Sequence, residues 1–146
     1  MKTDQGETDL KKMLGNLQPI LSEELFVYCF LAHPGSPDFP VWASISEQEG
    51  LTLIMTQDEA DRQGFSFACL WKRITLSVHS SLEAVGLTAH VSKVLAEAGI
   101  SANMVAGYYH DHVFVQAESA PLAYALLDPL VLGKSLISLV SEETSL

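Results

Sequence analysis

The residues best placed to do chemistry are Ser80, Ser81, Leu82, Glu83, Ala84, Val85, Gly86 and Leu87, a short polar and small-residue stretch that feeds an amphipathic segment. A strand-to-helix turn of this kind presents unpaired backbone N–H groups at the positive end of a helix dipole, a setting suited to a carboxylate. Glu83, the side-chain oxygen of Asn103 or strand carbonyls can then receive an ammonium group, which makes a free amino acid a chemically sensible ligand. The same residues also read as a tight turn relieved by Gly86, with Asn103 bonded to neighbouring backbone.

Other polar clusters carry less. His110-Asp111-His112 offers imidazole and carboxylate, but no further ligands are visible and the triplet falls where a hairpin is expected to turn, so no metal site is assigned. Gly133-Lys134-Ser135 echoes the end of a phosphate-binding loop, yet Asp128 stands where the leading glycine belongs and Pro129 follows it. Nucleophile elbows, C-x-x-C pairs and dinucleotide fingerprints are missing, so catalysis and cofactors are not expected. Cys29 and Cys69 read as two buried thiols, Tyr108 and Tyr109 as core aromatics, and His79 and His90 as interface or surface residues.

Composition narrows the partners. The 146-residue chain carries 8 Lys and Arg against 18 Asp and Glu, a formal charge of −10, and its basic residues are scattered; nucleic acid is excluded on that ground. Leu25 to Ala32 is the longest apolar run, far below the roughly 20 residues a spanning helix requires. The N-terminus lacks the apolar core of a secretion signal, which makes cytoplasm the expected compartment.

The elements that must position the turn follow from periodicity. Thr8 is expected to cap a short helix bearing Leu10, Met13, Leu14 and Leu17 on one face, ended by Pro19. Leu25 to Leu31 reads as a buried strand, His33 to Pro40 as a Pro-rich loop, and Val41 to Glu47 with Leu51 to Thr56 as a hairpin around Gly50. Gln57 to Gln63 is helix-compatible with Gly64 as its C-terminal stop. Phe65 to His79 reads as strand throughout, jointed at Lys72-Arg73, with Ile74, Leu76 and Val78 inward and an outward face carrying Thr75, Ser77 and Phe114. A helix from Thr88 presents Leu87, Val91, Val94, Leu95 and Ala98 on one face and stops at Gly99. Ile100 to Tyr109 and Val113 to Ala117 are strand-like, Ser119 caps a helix through Leu127, and Leu136 to Val140 continues as strand or helix.

The order in the second half is βαββαβ, the ferredoxin-like split arrangement, and the first half repeats it if the Pro-rich loop replaces the first helix. At residues 73–116, RITLSVHSSLEAVGLTAHVSKVLAEAGISANMVAGYYHDHVFVQ, the chain resembles an ACT domain. GETDL-KKML, EGLTLI with QDEAD, and ITLSVHSSLEAVG with AGYYHDH are similar to small bacterial proteins built from two ACT-like repeats, and to the regulatory region of aspartate kinases. Many ACT domains place Asp-x-Pro-Gly after the first strand; here only the glycine is kept. The resemblance implies an α+β fold of tandem ACT-like units, antiparallel sheets with helices on one face, divided as 1–72 and 73–146. It also implies a non-catalytic regulatory protein, homo-oligomeric, that binds an amino acid in the groove between units at Ser80 to Leu87 and Asn103. The alternative it leaves open is a module that regulates a partner enzyme through its surface with a vestigial groove.

Overall fold

In the computed structural model, residues 10–33, 35–77 and 86–134 are described. Residues 10–15 are helical (α1), with Leu14 and Leu17 buried as the periodicity requires. The strands are β1 (Gln18–Leu21), β2 (Phe26–Leu31), β3 (Ala43–Ser46), β4 (Leu51–Thr56), β5 (Trp71–Ser77), β6 (Ala102–Ala106) and β7 (Asp111–Gln116). The helices that follow α1 are α2 (Gln57–Gln63), α3 (Leu87–Glu97), α4 (Ala120–Leu126) and α5 (residues 129–134). Expectations at Thr8, Val78, His79 and Leu136 to Val140 fall outside the described residues.

All pairings are antiparallel, in the order β3-β4-β2-β5-β7-β6, with β1 also alongside β5. The arrangement is the ferredoxin-like α+β fold in tandem. β2, β3, β4 and α2 make the first unit; β5, α3, β6, β7 and α4 make the second. β1 takes the free edge of β5, so a strand that precedes the first unit completes the sheet of the second. β2 meets the same edge of β5 at one residue pair, Phe26 opposite Trp71.

Three cores result. Ile74, Leu76, Val113 and Val115 of the sheet pack under α3 and α4 together with Leu14 and Leu17. Val27, Cys29, Leu53 and Met55 pack under Ala60 of α2. The third lies on the helix-free face, where Phe26, Ile54 and Phe114 bring the two units together with Tyr28, Trp42 and Trp71 around them. The expected outward face is therefore corrected at Phe114, which is fully buried against the other unit.

Several local expectations are corrected too. Among the described residues of the long apolar stretch only Trp71–Ser77 is a strand; Phe65, Phe67 and Leu70 pack singly onto the α2 core from irregular chain. Lys72 and Arg73 lie inside β5, and Lys72 Nζ donates to the carbonyls of Ser22 and Glu23 at 3.0 and 2.9 Å. The second hairpin turns at Gly107 to His110, closed by the Gly107 N–H on the His110 carbonyl at 2.8 Å, so Asp111 and His112 belong to β7. Tyr108 and Tyr109 stand at its tip, 80% and 73% exposed, not in the core. Cys69 is exposed and only Cys29 is a buried thiol. Ala98 is exposed beyond the buried stripe of α3, whereas His90 is buried within it.

The ends of α2 follow their sequence signals, whereas Ser119, expected to cap α4, makes no side-chain capping bond. The Thr56 hydroxyl accepts from the Glu59 N–H at 3.3 Å, and Gly64 closes α2 at φ 76°. Asp128 and Pro129 do end α4, but Pro129 then opens α5, with Asp128 Oδ1 accepting from the Leu130 N–H at 2.9 Å.

Candidate functional site

Of the candidate residues, Ser80, Ser81, Leu82, Glu83, Ala84 and Val85 lie outside the described residues. Gly86 and Leu87 open α3. Gly86 sits at the helix N-cap with φ 107° and ψ −27°, and its carbonyl accepts from the His90 N–H at 2.9 Å. A side chain at this φ is strained, although an added Cβ would meet nothing closer than Leu10 Cδ2 at 3.5 Å. Having no side chain, Gly86 supplies no side-chain cap to the first-turn N–H groups, and no acidic residue stands in that turn. Leu87 buries its side chain in the core, so only its backbone faces outward chemistry.

Asn103 is exposed on β6, opposite Phe114, which is in turn opposite Arg73. It therefore lies near the C-terminal end of α3, while Gly86 lies at the other end of this 11-residue helix, about 16 Å long at 1.5 Å per residue. The structure does not bring Asn103 and the α3 N-terminus together within one unit. Asn103 instead stands beside Tyr28, whose hydroxyl is buried without a hydrogen bond of ordinary geometry. Burial raises the Tyr28 pKa and the nearby Asn103 lowers it less.

The histidines are placed by packing. His90 Nε2 donates to the Leu132 carbonyl at 2.9 Å, tying α3 to α5. His112 is hydrogen-bonded through Nδ1 to Thr75 Oγ1 at 3.0 Å and lies edge-on to Trp42, centroids 4.9 Å apart. Burial, and then the neighbouring Arg73 and His110 charges, hold its pKa below the ordinary imidazole value. No group of three or more His, Cys, Asp or Glu among the described residues could hold a metal ion.

One feature on the helix-free face escaped the sequence reading. The Arg73 guanidinium lies over two rings, with Cζ 5.1 Å from the Phe26 centroid and 5.5 Å from that of Trp42. The only available signal was the alternation in β5, which sets Arg73 and Thr75 opposite the buried Ile74 and Leu76.

Two family models described as ACT domain match in tandem, over residues 5–72 and 72–128. A Vibrio cholerae protein of unknown function, described as a possible transport protein, is 41% identical, with 86% of this chain and 98% of that one covered and a TM-score of 0.76. An Agrobacterium tumefaciens protein is 16% identical over 76% of this chain and 86% of its own, TM-score 0.65. The ligand-free regulatory subunit of aspartate kinase from Thermus thermophilus is 13% identical over 77% of this chain and 94% of its own, TM-score 0.56. The last two likenesses are of fold. No curated protein matches, and among the described residues no helix is long and apolar enough to cross a membrane.

Proposed function

We propose, because the chain belongs to the ACT-domain family, that it is a non-catalytic regulatory protein of the cytoplasm which binds a free amino acid at the groove where residues 80–87 enter α3. The observation that carries this reading is Gly86: a left-handed N-cap without a side chain, ahead of a helix turn free of acidic residues. Such a turn favours an incoming carboxylate through its amide hydrogens and the helix dipole. Asn103, remote from that turn within its own unit, joins the groove from an adjoining copy in a homo-oligomer.

The test is a thermal-shift screen of the free amino acids at millimolar concentration. A ligand that binds only the native protein raises Tm by mass action, by an amount that grows with concentration. Absence of a shift with every amino acid defeats the reading. A second reading, a surface that regulates a partner enzyme, is favoured by the exposed Tyr108 and Tyr109 pair, since solvent-exposed aromatics are enriched at interfaces. Capture of one stoichiometric enzyme, unaffected by amino acids and lost in Tyr108→Ser with Tyr109→Ser, supports that reading instead.

A further inference from the structure

The junction of the two units holds a cation in apolar surroundings. Arg73 projects from β5 into the aromatic cluster of Phe26, Trp42 and Phe114, and its Nε is buried with no acceptor among the described residues. Among the described residues the one ion pair is Arg62 with Glu59, on α2. The chain has 18 acidic residues, yet none of those described pairs with Arg73. Nearby, the Tyr28 hydroxyl stands beside Asn103 without a hydrogen bond of ordinary geometry, and Tyr28, Trp42, Trp71 and Arg73 itself all keep part of their surface in solvent.

An unpaired N–H in such surroundings is costly, and more so when the group is charged. Guanidinium presents its donors as a planar fork matched to the two oxygens of a carboxylate. Aromatic neighbours offset part of the charge through their ring faces but do not supply the paired oxygens that the fork matches. We propose that Arg73 anchors the carboxylate of a small organic acid between the two units, with Trp42, Tyr28 and Trp71 as the apolar rim that contacts its body. This place is on the sheet face opposite α3, because Ile74 and Leu76 on either side of Thr75 face the helices. It is therefore separate from Gly86 and Leu87 at the start of α3.

Titration with benzoate at fixed ionic strength, followed by the Arg73 Nε–H signal in ¹⁵N NMR and by tryptophan fluorescence, tests the proposal. The expected result is a saturable shift of that signal with a matching fluorescence change, absent with the neutral analogue benzyl alcohol and lost in Arg73→Met. An unresponsive Nε–H, an equal response to benzyl alcohol, or saturable binding retained by Arg73→Met overturns it. Should Arg73→Met fail to fold, the Nε–H response of the native chain decides alone. Thr88→Glu, which acts at the α3 turn, leaves the benzoate response unchanged, so failure of the amino-acid groove and failure of this site are told apart.

Discussion

Phe26 of the first unit and Phe114 of the second meet edge to face, with centroids 5.5 Å apart and planes at 83°. Their strands are not neighbours, and β2 joins the second unit through a single backbone pair. Cohesion between the units therefore rests on side chains. Phe114→Ala, at a site with no exposure, is expected to destabilise the whole chain by about 3–5 kcal/mol in urea unfolding. If the units were energetically independent, the loss would appear in only one of two separable transitions.

Thr88 is exposed in the first turn of α3. Thr88→Glu places a carboxylate near the first-turn amides, which suits the helix dipole and leaves Tm without ligand unchanged or slightly raised. The same carboxylate competes with an amino-acid carboxylate. The ligand-induced Tm rise is expected to vanish, and a rise equal to that of the parent protein defeats the proposed binding mode.

The His90 to Leu132 hydrogen bond is buried on both sides of the α3 and α5 contact. Replacement by Phe keeps the ring but leaves that carbonyl without its donor, at a cost of about 1–3 kcal/mol. Amide exchange in residues 129–134 is expected to accelerate more than exchange in β7.

His112 resists protonation in the fold, chiefly through burial and then through the Arg73 charge. The unfolded chain takes up this proton first as pH falls below about 6.5, so native stability declines from there down through the lowered folded value. Urea unfolding between pH 8 and 5 is expected to show this slope in the parent protein and a shallower one in His112→Gln. Parallel slopes would show that His112 contributes nothing to the pH dependence.

Gly50 and Gly64 both have positive φ, at 151° and 76°, but only Gly50 is crowded. An added Cβ there would stand 2.6 Å from the Leu31 carbonyl oxygen and 2.9 Å from the Phe30 ring, whereas at Gly64 nothing lies within 4 Å. Gly64→Ala is expected to cost about 1–2 kcal/mol from backbone conformation alone. Gly50→Ala should cost distinctly more in the same unfolding assay, because backbone must move.

Where a segment is stabilised by its own near neighbours, it was legible. α2 lies between a β-region Thr and a left-handed Gly, α3 carries a clean apolar stripe, and the Gly50 hairpin closes within a few residues. β1 was not legible: it is four residues long, contains Pro19, and finds its partner far along the chain. The stretch from Phe65 has a strand-like composition because aromatics favour strands in general, while here Phe65 and Phe67 each pack beside α2 from irregular chain. The turn at Gly86 was visible as a glycine before an amphipathic helix. The setting of Arg73 was not, because its rings come from β2, β7 and the chain before β3, and no local pattern reports that convergence.

The pairing of β1 with β5 also bears on how the chain is made. As the polypeptide leaves the ribosome, residues 18–21 emerge more than fifty positions ahead of the segment they must clasp, residues 74–77. Until then Ile20 and Leu21 have no sheet to join, and the nascent first unit must mature beside an unsatisfied leader strand. Closing so long a loop makes that docking a late event in biogenesis, and the second module cannot complete its edge until residues 18–21 fold back onto it.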